Sequence, residues 1–177
     1  MKIIIRFKNI FEFETTYLYA RKLRVEDFEL IASMYQNKSI MKTLGGVLSK
    51  QAIQEKFKWN LEQWENNGFG QWLWYDKKTK KFVGRGGLRK MELEKEAVVE
   101  IGYVLVPSFW NQGLATEMAI ASKEIAFEVL NLKEAVCFTL VSNKASQRVM
   151  EKIGCIFDRQ FIYQEEPHVL YRLHSNK

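Results

Sequence analysis

Gly113 and Ala115 stand where a strand gives way to a long helical run, and no other part of the chain is better suited to chemistry. The preceding segment, Val98-Val99-Glu100-Ile101-Gly102-Tyr103-Val104-Leu105-Val106, is β-branched, apolar and of strand length. Pro107 cannot continue a central ladder, so the strand stops there. From Leu114 the period changes: Leu114, Met118, Ala121, Ile125 and Val129 recur three or four residues apart, as one face of a helix does. A glycine at the helix entrance lacks a Cβ, so a ligand can approach the backbone there. The N–H groups of the first turn have no intrahelical acceptor and sit at the positive end of the helix dipole. A strand, a short small-residue loop and a bare helix N-terminus make a place for phosphate.

Other chemistry is poorly supported. Gly84-Arg85-Gly86-Gly87 is neither a Walker loop nor a dinucleotide fingerprint, because no helix follows it; its glycines predict a bulge or a close backbone approach. His168 and His174 are too few and badly spaced for a metal site, so no metal is expected. No Ser or Cys is grouped with a His as a nucleophile would be. Trp59, Trp64, Trp72 and Trp74 are read as core, with an acceptor pocket as the alternative. Lys77, Lys78, Lys80 and Lys81 fall on a turn and read as solvated.

The elements that must position the loop follow from pattern. With 177 residues, 47% hydrophobic, the chain suits one domain with a sizeable core. Residues 1–13 read as an edge strand or a loose extension. Tyr17 to Leu23 is a strand, and a helix starts at Val25-Glu26-Asp27. Ser49 caps a second helix, which ends at Asn66-Asn67-Gly68. Gln71 to Tyr75 and Lys81 to Arg89 form a hairpin, and a looser turn over Glu92 to Glu96 leads to the Val98 strand. Ala135 to Leu140 is the next strand, Ser142-Asn143 opens a helix ending at Gly154, and a final hairpin closes the chain. This order fits an α+β fold: one mixed, mostly antiparallel, twisted sheet with helices on both faces. Its one parallel crossover would run from Val98 to Leu140. The net charge of +6 favours an anionic partner, whether cofactor, acidic surface or nucleic acid. Cys137 and Cys155 read as reduced core residues of a cytoplasmic protein, and no apolar run is long enough to span a membrane.

The segments Glu100-Ile101-Gly102-Tyr103 through Trp110-Asn111-Gln112-Gly113-Leu114-Ala115-Thr116-Glu117, and Asn143-Lys144-Ala145-Ser146-Gln147-Arg148-Val149-Met150, together resemble the GNAT superfamily of acetyl-CoA-dependent N-acetyltransferases. Within it the chain is most similar to the branch that includes the ribosomal-protein N-terminal acetyltransferases, and the resemblance covers Tyr17 to Leu173. Trp110 and Asn111 depart from the family's loop pattern, where Gln or Arg and a glycine often stand. The resemblance implies a sheet with a splayed central strand pair. It implies acetyl-CoA as cosubstrate, with its diphosphate over the amides of Asn111, Gln112, Gly113, Leu114, Ala115 and Thr116 and its arm along Tyr103, Val104 and Val106. Glu100 corresponds to a base or to a residue holding the base water. Asn143 corresponds to an asparagine near the cofactor arm. Met150 stands where many relatives carry a tyrosine that protonates the departing thiolate, so the resemblance passes that role to Ser146. The acceptor is an amine, on a protein N-terminus or a small molecule, and a homodimer is left open. The rivals are a non-catalytic acyl-CoA-binding module, motivated by Met150, and a basic nucleic-acid-binding domain, motivated by charge alone.

Overall fold

The computed structural model describes residues 3–175. Strands β1 (Arg6–Asn9) and β2 (Glu12–Glu14) make a short hairpin that pairs through β2 with β3 (Leu18–Lys22). The amino-terminal stretch therefore supplies the edge strand β1 and its neighbour β2, with Met1 and Lys2 outside the described residues. Helix α1 (Phe28–Gln36) begins three residues later than expected, because Val25–Asp27 is a 3-10 turn. There the Asp27 carboxylate turns back to accept the Arg24 N–H at 2.8 Å and the Arg21 guanidinium at 2.6 Å. Helices α2 (Lys38–Met41) and α3 (Lys50–Asn67) follow. Ser49 caps α3, its Oγ accepting the Ala52 N–H at 3.2 Å, and Gly68 ends it in the left-handed region at φ 72°.

Strands β4 (Gln71–Asp76), β5 (Phe82–Leu93) and β6 (Glu96–Leu105) form an antiparallel meander. The β5–β6 turn is tighter than expected: Glu94 and Lys95, at φ 49° and 71°, are its two central residues, and the ladder reaches Leu93↔Glu96. Leu93 and Val98 are buried together beside Val136 and Leu170, so both strands are held regular up to the turn. After β6 come α4 (Leu114–Glu124), a π-helical turn at Ile125–Val129, β7 (Glu134–Leu140), α5 (Lys144–Lys152), β8 (Ile156–Tyr163) and β9 (Glu166–His174). Among the described residues, nine strands form one sheet in the order β1-β2-β3-β4-β5-β6-β7-β9-β8, antiparallel except at β6–β7.

Alternation along the strands divides the core in two. Trp72 and Trp74 pack with Ile101, Leu105, Met118 and Ile153 on the side covered by α4 and α5. Leu73, between them, packs with Ile31, Ile53 and Phe57 on the side covered by α1 to α3. Helices therefore cover both faces of a mixed, mostly antiparallel sheet, as the order of elements predicts. Among the described residues, no helix is long and apolar enough to cross a membrane.

The glycines of β5 do both things their sequence suggests. The ladder passes from Trp74↔Gly84 to Tyr75↔Phe82, which leaves Val83 as a bulge. A Cβ on Gly84 would lie 2.2 Å from the Val104 carbonyl oxygen, so β5 and β6 meet more closely than a side chain allows. Gly84→Ala should destabilise the protein by about 3 kcal/mol, the upper end of overpacking costs. A urea midpoint shift of the variant measures this, and an unchanged midpoint would contradict the contact.

Candidate active site

The site is built where β6 and β7 part. They share the registered pair Glu100↔Val136, while β5 pairs along all of β6 and β9 along all of β7. Beyond that pair the strands diverge, and the edge of β6 from Gly102 to Leu105 has no ladder partner in β7. Unpaired buried backbone is costly, so such a slot suits a ligand able to supply hydrogen bonds. The side chains of Val104 and Val106 turn to the α1–α3 core, and these residues offer the slot backbone alone.

The slot leads to the start of α4. The loop there is braced by the Trp110 indole, which donates to the Leu105 carbonyl at 2.8 Å, and by Gln112, which donates to the Ser108 carbonyl at 2.9 Å. Asn111 and Gly113 are both left-handed, at φ 60° and 79°. Asparagine is among the few residues that tolerate this region, so its departure from glycine keeps the backbone path. A Cβ on Gly113 would meet no atom within 4 Å, which leaves the helix end open. The first helical bond joins the Glu117 N–H to the Gly113 carbonyl at 3.1 Å, so the amides of Leu114, Ala115 and Thr116 precede the ladder. This is a cradle of the kind that accepts a diphosphate.

Glu117 anchors that cradle, a role not read from the sequence. It is fully buried, and its Oε1 accepts from the Thr15 hydroxyl at 2.6 Å and the Tyr17 N–H at 2.7 Å. An acidic residue in a first helical turn was the available signal.

Across the slot, Asn143 caps α5. Its Oδ1 accepts the Ser146 N–H at 3.2 Å and its amide donates to Thr139 Oγ1 at 3.1 Å. Ser146 Oγ lies 3.1 Å from the Tyr103 hydroxyl, which is also 3.1 Å from the Ser146 carbonyl oxygen. Burial, with the Cys137 thiol nearby, pushes the Tyr103 phenol well above its usual range, so it stays protonated. Met150 is buried in the core beneath α5.

On the opposite sheet face, Glu100 is 4% exposed and forms an ion pair through Oε2 with Arg89, its registered neighbour on β5. Burial works against the Arg89 charge, yet Glu100 holds the guanidinium above its ordinary range. Glu100 Oε1 would lie 3.4 Å from a Cβ on Gly102, so the carboxylate overhangs bare backbone where the strands part. Arg89 lies over the Trp59 ring, its central carbon 5.7 Å from the ring centroid. Trp59, Arg89, Met91 and Tyr163 wall a cavity of about 320 Å³ whose mouth carries Glu55 and Lys56. Of the four tryptophans weighed as pocket residues, Trp59 lines this cavity and Trp64, Trp72 and Trp74 are core. His168 stands behind it, its ring 5.5 Å from that of Tyr163. Among the described residues, no group of three or more His, Cys, Asp or Glu could hold a metal ion.

A sheet opened at one parallel strand pair, with bare amides at the end of the slot and a carboxylate at the point of divergence, suits an acyl-transferring enzyme of the CoA-dependent kind. The chain belongs to the acetyltransferase (GNAT) domain family, whose model matches residues 18–156, and is thereby an N-acetyltransferase; enzymes of this family use acetyl-CoA. The N-acetyltransferase YoaA of Bacillus subtilis is 27% identical over 157 residues, spanning 85% of this chain and 88% of the relative. An acetyltransferase structure from Agrobacterium tumefaciens is 26% identical, with a TM-score of 0.82, over 96% of this chain and 97% of that one. A ribosomal-protein-S5-alanine acetyltransferase from Vibrio fischeri shares the fold at 16% identity and a TM-score of 0.76, over 93% and 97% of the two chains.

Asn111→Val should cost about 1–2 kcal/mol, the penalty for a Cβ in the left-handed region, whereas Asn111→Gly should be nearly neutral. Thermal melts of the two variants check this. Equal losses would show that the asparagine side chain, rather than its backbone angle, matters.

Proposed function

We propose that this protein transfers acetyl from acetyl-CoA to a primary amine by direct attack, with the slot between β6 and β7 as the cofactor site. The observation that carries this reading is the single registered pair between β6 and β7, followed by an open edge that ends at bare amides. Acetyl-CoA supplies an activated acetyl thioester. The amides from Asn111 to Thr116 hold its diphosphate, and the dipole of α4 adds about 0.3–2 kcal/mol to those hydrogen bonds. The backbone of Tyr103, Val104 and Val106 takes the place of a ladder partner for its arm. Asn143 fixes the first turn of α5 at the slot.

Glu100 receives the proton that leaves the amine, directly or through a water at Oε1, while Oε2 stays tied to Arg89. As the nitrogen–carbon bond forms and the carbon–sulfur bond breaks, Ser146 passes a proton to the sulfur, because Met150 has no proton to give, and regains one from solvent, to which Glu100 returns the amine's proton. The reading includes a single acetyltransferase domain over residues 1–177, residence in the cytoplasm, and no metal. Its acceptor is an amine on a protein terminus or a small molecule.

Isothermal titration with acetyl-CoA is the direct test, and absence of saturable binding removes the proposal. Gly113→Val should leave a folded protein whose KM for acetyl-CoA rises ~10-fold or more, since hydrogen bonds to charged groups are worth about 1.5–3 kcal/mol each. An unchanged KM would move the diphosphate elsewhere. Glu100→Gln should lower kcat by about 100-fold or more with little change in acetyl-CoA affinity, as loss of a general base does. A pH–rate profile identical to that of the parent would remove Glu100 as the base.

A further inference from the structure

The sheet face that carries Glu100 also holds a buried arginine with no carboxylate of its own. Arg85 and Arg89 lie on this face of β5, and Glu100 is the buried carboxylate beside them. The Arg89–Glu100 ion pair uses that carboxylate. Arg85, 6% exposed, has neutral company: Gln71 Oε1 accepts from it at 2.9 Å, and its guanidinium carbon lies 4.8 Å from the centroid of the Tyr35 ring. No acidic side chain among the described residues is within ion-pair distance of it, and its Nε is buried without a hydrogen-bond partner. Leaving such a charge uncompensated is expensive, and a fold gains nothing from it unless something anionic arrives.

We propose that the anion is the carboxylate of the acceptor, and that the acceptor is a free α-amino acid with an apolar or aromatic side chain. This rests on the acetyl-transfer reading above and names its substrate class. The carboxylate pairs with Arg85, the amine lies over Gly102 beside Glu100, and the side chain enters the cavity walled by Trp59, Met91 and Tyr163. Gly102, paired with Gly87 of β5, places no side chain between Arg85 and the Arg89–Glu100 pair, and the atoms nearest to a Cβ there are those of Glu100 and Arg89. Strand rise sets the Cα atoms of Arg85 and Arg89 about 13 Å apart, a gap that one arginine side chain and a small zwitterion together span. The cavity's volume of about 320 Å³ admits a side chain such as that of phenylalanine or leucine against Trp59, Met91 and Tyr163, with Glu55, Lys56 and Arg89 completing its lining. A polyamine would set a further cation against the uncompensated Arg85, and a peptide N-terminus would present a neutral carbonyl to it.

The test compares release of free thiol from acetyl-CoA with phenylalanine against phenylalaninamide, leucine against leucinamide, a dipeptide and a diamine. The amides lose their amine proton more readily, so intrinsic reactivity favours them. Preference for the free acids by at least ~10-fold in kcat/KM therefore reports recognition of the carboxylate. Arg85→Met should abolish this preference while leaving the Kd for acetyl-CoA unchanged. Because Arg85 is buried, the comparison on the parent enzyme decides the matter even if the variant fails to fold. Equal or better use of the amides, the dipeptide or the diamine overturns the inference, as does an acid preference that survives Arg85→Met. Acetyl-CoA that fails to bind at all instead sinks the reading on which the inference rests.

Discussion

The separation of β6 from β7 is the constraint on which the rest of the structure depends. A parallel pair in the middle of a sheet would normally run as a continuous ladder, buried on both faces. Here it holds at Glu100↔Val136 and then fails, while the outer neighbours of both strands remain fully paired. The glycines of β5 help to keep β6 where it is. They let β5 approach β6 more closely than a side chain would allow.

That opening divides the labour between the two faces of the sheet. On the α4 and α5 side lie the elements suited to the cofactor: the bare amides behind Gly113, the Asn143 cap, and Ser146 held by Tyr103. On the α1–α3 side lie Glu100, Arg89 and Arg85, with a cavity beside them. Glu100 sits at the junction, on the last pair before the strands separate. Its ion pair with Arg89 sets a cation against a buried carboxylate, at the cost of one of its two oxygens.

Much of the fold and of the backbone path into α4 was legible because local physics governs both. Ser49, Asn143, Gly68 and Gly154 act as caps and stops wherever they occur, and the change from period two to period three or four around Gly113 marked strand and helix. The acceptor side was less legible because it depends on register. Arg89 lies directly across from Glu100, but that pairing can be counted only from the hairpin turn. Reading Glu92 to Glu96 as a loose turn hid it, since Glu94 and Lys95 lack the glycine or asparagine that usually marks a two-residue turn. Trp59 differs from Trp64, Trp72 and Trp74 only in the direction it faces, which composition does not record. Asn111 shows the reverse case: a departure from the family pattern that the backbone accommodates without change.

Glu117 joins parts of the chain that are made far apart in time. Its contacts with Thr15 and Tyr17 bridge about a hundred positions, so this carboxylate gains its partners only once the β2–β3 turn has met the helix that carries it. Contacts between such distant segments form late, because the intervening chain must first be brought to order. Competence to hold a nucleotide-bearing cosubstrate should therefore be among the last properties this polypeptide acquires as it matures, and among the first it loses when its leading segment is trimmed away.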